Sequence, residues 1–168
     1  GLYQLSIPQL KSIRGVGTVR AVQLKCIGEL SKRIAVCAAR KGISFDNPGS
    51  VAEYYMEQLR HEEQEHLLCM MLDCKNHRLG EELLFKGTVN TSVVSPREIF
   101  LCAISYHAVG ILLVHNHPSG DPSPSQADIQ VTKRIAAAGA LLDIPLIDHI
   151  IIGDCRYTSF RERGLIET

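Results

Sequence analysis

The 168-residue sequence contains no tryptophan, and aromatic residues make up only 5% of it. So thin an aromatic complement argues against a surface that stacks sugar rings or bases. No apolar run approaches the ~20 residues needed to cross a bilayer, and the start lacks the pattern of a secretory signal. The expectation is a soluble, cytoplasmic protein without membrane contact. The first residue is Gly rather than Met, which reads as a trimmed start with chain missing upstream. No C-x-x-C pair occurs among the six cysteines, Cys26, Cys37, Cys69, Cys74, Cys102 and Cys155, and four of them sit in apolar runs. That excludes a disulfide framework and a cysteine zinc cage, and predicts small buried hydrophobes in a reducing compartment. Net charge is lacking too, since 18 basic residues balance 18 acidic ones.

What is present suffices for a folded domain. With 45% hydrophobic and 21% charged residues, the chain can bury a substantial core. The zero net charge hides an asymmetry. Residues 1–42 hold eight bases (Lys11, Arg14, Arg20, Lys25, Lys32, Arg33, Arg40 and Lys41) and one acid, Glu29. A basic head on an acidic body suggests two modules with different partners. The boundary falls in the turn-forming stretch 43–50, a linker that leaves 51–168 as the second domain.

The head reads as short helices interrupted at Gly15-Val16-Gly17, then a longer helix from about Val19 to Arg40 with a break at Gly28. In the body, Ser50 and Glu53 form a capping box opening a helix that runs to about residue 64. His66 to Asp73, Arg78 to Lys86 and Thr88 to Val94 read as strands, the first of them buried. Pro96, with Ser95 as its cap, opens a helix to Tyr106. Val109 to Val114 is a buried strand, and a helix follows from Ser125 to about Ala140. Leu146 to Ile152 and Tyr157 to Phe160 close a central sheet. The class is α/β, three-layered, with a mixed sheet flanked by helices and preceded by a small all-helical segment.

The chemistry concentrates between Ile111 and Asp128. A strand places His115 and His117 on one face at its exit, because side chains alternate with period two. Pro118 ends that strand, and a loop with three prolines returns the chain to a helix whose first turn holds Asp128. Two imidazoles and one carboxylate leave a fourth position open, the donor set of a catalytic zinc site. Zinc lowers the pKa of a coordinated water to ~7. Ser125-Gln126-Ala127-Asp128 also fits a plain capping box, so neither Ser125 nor Asp128 is diagnostic alone. The combination with the histidine pair is what points to metal. His149, inside an apolar strand, reads as a hydrogen-bonded core residue with Asp148 as its partner. His61, His66, His77 and His107 read as surface or packing residues, and Arg97-Glu98 as an ion pair at a helix start.

H-x-H-P, six residues, then S-x-x-D resembles the JAMM signature of the JAB/MPN+ metalloproteases. His115, His117, Pro118, Ser125 and Asp128 match it without a gap. The runs from His115 to Asp121, Ser95 to Glu98 and Asp148 to Gly153 look like the bacterial RadC-like branch, over residues 51–168. The resemblance implies a three-layer fold of the JAB/MPN kind, similar to that of cytidine deaminases. It implies one zinc per chain on His115, His117 and Asp128, with Ser125 hydrogen-bonding near the oxyanion of a tetrahedral intermediate. It also implies an upstream glutamate as proton carrier. Glu62, Glu63 and Glu65 are the candidates, and Glu65, just before the buried strand, is the choice. One residue departs from the pattern: Asn116 stands between the histidines where peptidase members usually carry Ser or Thr.

In the head, Leu10-x-x-Ile13-x-Gly15-Val16-Gly17 with Ala21 and Leu24 resembles a helix-hairpin-helix motif. Backbone N–H groups beside Gly15 and Gly17 would then meet a DNA phosphate, and the bases would supply attraction independent of sequence. A protein-docking or structural hairpin fits the same residues. The leading expectation is a zinc metallopeptidase cleaving the amide or isopeptide bond of a peptide or protein through zinc-activated water. Its rivals are a zinc-binding, DNA-associated scaffold and a metal-dependent nuclease. The nuclease ranks last, because one His-His-Asp site lacks the oxygen ligands or second ion such chemistry favours.

Overall fold

The structure, a computed structural model, describes residues 5–39, 45, 47–87 and 94–166. The chain divides into two compact units, Gly1–Gly42 and Ile43–Thr168.

In the first unit, α1 (Ile7–Lys11) and α2 (Thr18–Ala39) pack as a hairpin around Leu10 and Ala21, both fully buried. The Ser6 hydroxyl and the Gln9 side chain form a capping box at the start of α1. Gly15 turns the chain with φ +87°, a conformation a side chain would strain. Contrary to the expected break, α2 runs unbroken through Gly28. One glycine costs ~1 kcal/mol in a helix interior, which the rest of a 22-residue helix absorbs.

Among the described residues, the second unit is built on a five-stranded mixed sheet in the order β2-β1-β3-β4-β5. Its strands are β1 (His66–Leu72), β2 (Arg78–Lys86), β3 (Gly110–Asn116), β4 (Leu146–Ile152) and β5 (Tyr157–Ser159). Only β3 and β4 are parallel, and α5 (Gln126–Leu141) joins them. β3 is central and buried along its whole length, which explains its continuous apolar run. On one face, α4 (Pro96–Ser105) and α5 supply Ile99, Phe100, Ala103, Val131 and Ile135 to a core with Leu67, Cys69, Met71, Ile111 and Leu113. α3 (Pro48–Leu59) packs on β3 and β4 from the other face, completing three layers.

Several local expectations need correction. α3 starts at Pro48, not Ser50, so the last three residues of the expected linker are helical. Asn47 is its cap, accepting the Ser50 N–H at 2.9 Å, because Asn followed by Pro is a stronger start than Ser50 with Glu53. The same helix ends at Leu59, well short of residue 64. Ser95 occupies the cap position of α4, but its hydroxyl makes no capping bond. The cysteines are less buried than their apolar surroundings in sequence suggest: Cys69 is buried, whereas Cys26, Cys74 and Cys155 are exposed, and none of these four forms a disulfide. Apart from Val94, the expected strand at 88–94 lies outside the described residues. No described helix is long and apolar enough to cross a membrane.

Candidate metal centre

The site sits at the carboxyl end of β3, where a parallel β-α-β connection leaves a crevice. His115 is the second-last residue of β3. The His117 N–H donates to Ile152 O at 2.9 Å, extending the pairing with β4 past the strand's formal end. Both histidines therefore share one face, toward α5, and Asn116 faces the opposite way. The loop from His117 to Ser125 is pinned in three places. His117 Nδ1 lies 2.8 Å from Asp121 O, and the Asp121 carboxylate accepts from Ser123 N–H and Oγ. Asp154 N–H donates to Gly120 O at 2.9 Å. Gly153 lets this loop lie close: a Cβ there would stand 2.4 Å from Gly120 O and 2.8 Å from Pro122 Cδ.

The return helix delivers the carboxylate. Asp128 Oδ1 lies 3.4 Å from His115 Nε2, and Oδ2 lies 3.4 Å from His117 Nε2. The two Nε2 atoms are 2.9 Å apart. Ligands on ~2.0 Å bonds in a tetrahedron stand roughly 3.3 Å from one another, so the spacing of this donor set suits a small transition-metal ion. The group formed by His115, His117 and Asp128 could hold a metal ion. Its electrostatics agree. Burial pushes His115 down to about 4, which keeps the imidazole neutral and its lone pair available. Burial also pushes the Asp128 carboxyl up, but the His117 hydrogen bond, the nearby His115 and the Ser125 donors outweigh it. Asp128 is held well below the usual carboxylate range. The His117 pKa is raised, chiefly by its hydrogen bond to Asp128 against the cost of burial. His117 is also the more accessible histidine, with 14% of its side chain exposed against 1% for His115.

This geometry meets its counterpart in known sequences: a family model described as "RadC-like JAB domain" matches residues 45–165. The chain belongs to the RadC-like JAB family. A UPF0758 protein of Desulforamulus reducens is 47% identical over 165 residues, covering 98% of this chain and 73% of the relative. Another, from Caldanaerobacter subterraneus, is 44% identical over 159 residues, covering 95% and 68%. A third, from Bacillus cereus, is 42% identical over 165 residues, covering 98% and 73%.

The remaining expected site residues of this RadC-like domain fall as follows. Glu62, Glu63 and Glu65 lie in the turn between α3 and β1. Glu63 is exposed, Glu62 and Glu65 are half-buried, and the Glu65 charge acts on His117, adding to the rise in its pKa. Ser125 caps α5: its hydroxyl accepts the Asp128 N–H at 3.2 Å and donates to Asp128 Oδ2 at 2.6 Å. The Ser125 N–H donates to the same oxygen at 2.7 Å. The capping box and the carboxylate of the candidate metal group are therefore one structure. In this arrangement the hydroxyl proton of Ser125 orients Asp128. Gly15 and Gly17 flank the turn before α2 in the first unit, and a Cβ at either would meet nothing within 4 Å. Arg97 and Glu98 form the expected exposed pair at 2.7 Å.

Two groups around the candidate metal centre make contacts that sequence reasoning did not reach. Asn116 is one. Its Oδ1 accepts the His66 N–H at 2.8 Å, and its Nδ2 donates to Gln64 O at 3.1 Å. The residue that departs from the peptidase pattern thus clamps the turn carrying Glu65. The other is the pair behind His115. His149 does not pair its ring with Asp148, whose carboxylate accepts instead from the His149 N–H, Ser159 Oγ and Arg161 N–H. Its ring contacts His115 and Thr132. A signal was available: Thr132 stands one helical turn after Asp128, on the same face.

Proposed function

We propose that this protein is a zinc-dependent hydrolase of the metallopeptidase type, cleaving an amide or isopeptide bond in a peptide or protein. The observation that carries the reading is the donor set itself. Two Nε2 atoms and a carboxylate converge within 4.8 Å, two of the three side chains buried, on a chain of the RadC-like JAB family. One carboxylate and two imidazoles fit zinc better than magnesium or calcium, which favour oxygen ligands. When bound, zinc supplies the Lewis acid, lowering the pKa of a coordinated water to ~7 and polarising a carbonyl.

The chain's own residues supply the rest. His115, His117 and Asp128 hold the ion, with Ser125 fixing the carboxylate. Glu65 takes the proton of the attacking water and hands it to the leaving amine nitrogen. The water oxygen adds to the carbonyl carbon, the C–N bond breaks, and a carboxyl group and an amine are released. By turning its hydroxyl away from Asp128, Ser125 donates to the oxyanion. Incubating the zinc-loaded protein with a peptide library and with phosphodiester substrates, alongside His117→Ala, tests this. Amide cleavage lost in the variant supports it. Cleavage of phosphodiesters alone favours a nuclease, and no turnover of either favours a scaffold.

A second reading concerns the first unit, and the open backbone at Gly15 and Gly17 supports it. Together with the bases of residues 1–42, that turn offers N–H groups and positive charge to the phosphates of DNA. Binding should be weak, independent of sequence and lost as salt rises. Lys11→Ala with Arg14→Ala in the full chain should weaken it and leave zinc content unchanged. Undiminished binding by that variant would exclude the turn as the DNA contact.

A further inference from the structure

Behind the metal centre a line of polar atoms runs through the otherwise apolar core between β3, β4 and α5. His115 Nδ1 lies 2.7 Å from His149 Nε2. His149 Nδ1 lies 2.6 Å from Thr132 Oγ1, and Thr132 Oγ1 donates to Asp128 O at 2.5 Å. Each of these residues is buried, His149 and His115 to within 1% and Thr132 completely. Buried polar atoms must be paired, and here the pairing fixes where each proton sits.

The direction follows from one requirement. If His115 offers Nε2 to a metal, its remaining ring proton must be on Nδ1. His149 Nε2 is then the acceptor and carries no proton, so the proton of the His149 ring is on Nδ1. That N–H donates to Thr132 Oγ1, leaving the threonine hydroxyl to donate to the main-chain carbonyl of Asp128. All three hydrogen bonds are satisfied in this order. Reversed, His149 Nε2–H would donate to His115 Nδ1, put the proton on His115 Nε2 and block the metal. Resting on the reading of His115, His117 and Asp128 as a metal site, we propose that His149 and Thr132 are positioning residues for that metal. They lock His115 in its metal-binding tautomer and tie it to the backbone of a second ligand, Asp128. Metal-ligating histidines usually donate to a carboxylate, a carbonyl or water. Here a neutral imidazole takes that place, orienting the ligand without adding charge to the site. Asp148, the carboxylate next to His149, is turned the other way, toward Ser159 and Arg161.

The experiment adds zinc to the metal-free full chain and reads two quantities. The first is the protonation of each ring nitrogen, from long-range proton–nitrogen correlations of the histidines. The second is zinc affinity, by competition with a chromogenic chelator. The expected spectrum has His115 protonated at Nδ1 and metal-bound at Nε2, with His149 protonated at Nδ1 alone. His149→Phe keeps a ring stacked on Phe160, 4.7 Å away, but offers no acceptor. It and Thr132→Val should weaken zinc binding by about 10–100-fold. Thr132→Ser, which keeps the hydroxyl, should bind as the wild type does. If His149→Phe fails to fold, the wild-type spectrum and the threonine pair still decide. A His149 ring protonated at Nε2, or unchanged affinity in folded His149→Phe and Thr132→Val, overturns the inference while the metal site stands. No zinc binding by the wild type overturns both.

Discussion

Asn116 Oδ1 accepts the backbone N–H of His66 at 2.8 Å, joining the end of β3 to the turn that carries Glu65. With Nδ2 donating to Gln64 O, the amide spans the gap between β3 and the chain entering β1. Neither Ser nor Thr offers both an acceptor and an amide donor at that reach. Asn116→Ala leaves the His66 N–H and the Gln64 carbonyl without this partner, at a cost of ~1–3 kcal/mol where they are buried. Zinc content should be unchanged, because β3 still holds His115 and the bond to Ile152 O still holds His117, while turnover falls as the Glu65 turn loosens. Parallel zinc analysis and peptide cleavage assays check this, and full turnover by the variant would contradict it.

Glu65→Gln keeps the shape of the side chain but removes its basic oxygen. Zinc should bind as before, with turnover reduced by ~10²–10⁴-fold. Glu62→Gln and Glu63→Gln should stay close to wild type. Loss of turnover in one of those two, with Glu65→Gln active, would move the role to that residue. His117→Ala should lose metal and turnover together, a contrast that separates a base from a ligand.

Much of this was legible in the sequence for a physical reason. A fully buried strand announces itself as an apolar run, so β1, β3 and β4 stand out. His115 and His117 then lie on one face by alternation alone. Asp128 was legible because a helix returning from a parallel strand has to start beside that strand's exit. Contacts made across the fold left no such mark. Asn116 reaches back to Gln64 and His66, and His149 meets His115 only through the pairing of β3 with β4. Asp148 was the obvious neighbour of His149 along the chain. Adjacent side chains on a strand point to opposite faces, which is why the His149 ring meets the His115 ring and the Thr132 hydroxyl and not the Asp148 carboxylate. The start of α3 was missed because two capping signals overlap within four residues, and Asn47-Pro48 prevails.

The metal-free protein should lose stability on mild acidification. Burial lowers the pKa of His115 to about 4 and that of His149 well below its ordinary value. In the unfolded chain both titrate near ~6.5, so below that pH the unfolded state binds more protons and gains on the folded one. The loss runs from about pH 6.5 down through the folded-state values, and His115 alone contributes about 2 kcal/mol by pH 5. His117, raised by Asp128, acts in the opposite sense and offsets part of it. Denaturant midpoints at pH 7.5 and pH 5 measure the balance, and equal midpoints would contradict it.

The central claim is that His115, His117 and Asp128 hold a zinc ion. Elemental analysis of the purified protein tests it most directly, before and after incubation with zinc and removal of the excess. The account predicts about one zinc per chain, as for a site with three protein ligands and an open position, and none in His115→Ala or His117→Ala. No bound transition metal in the wild type after zinc is supplied, or an undiminished amount in those two variants, would contradict it.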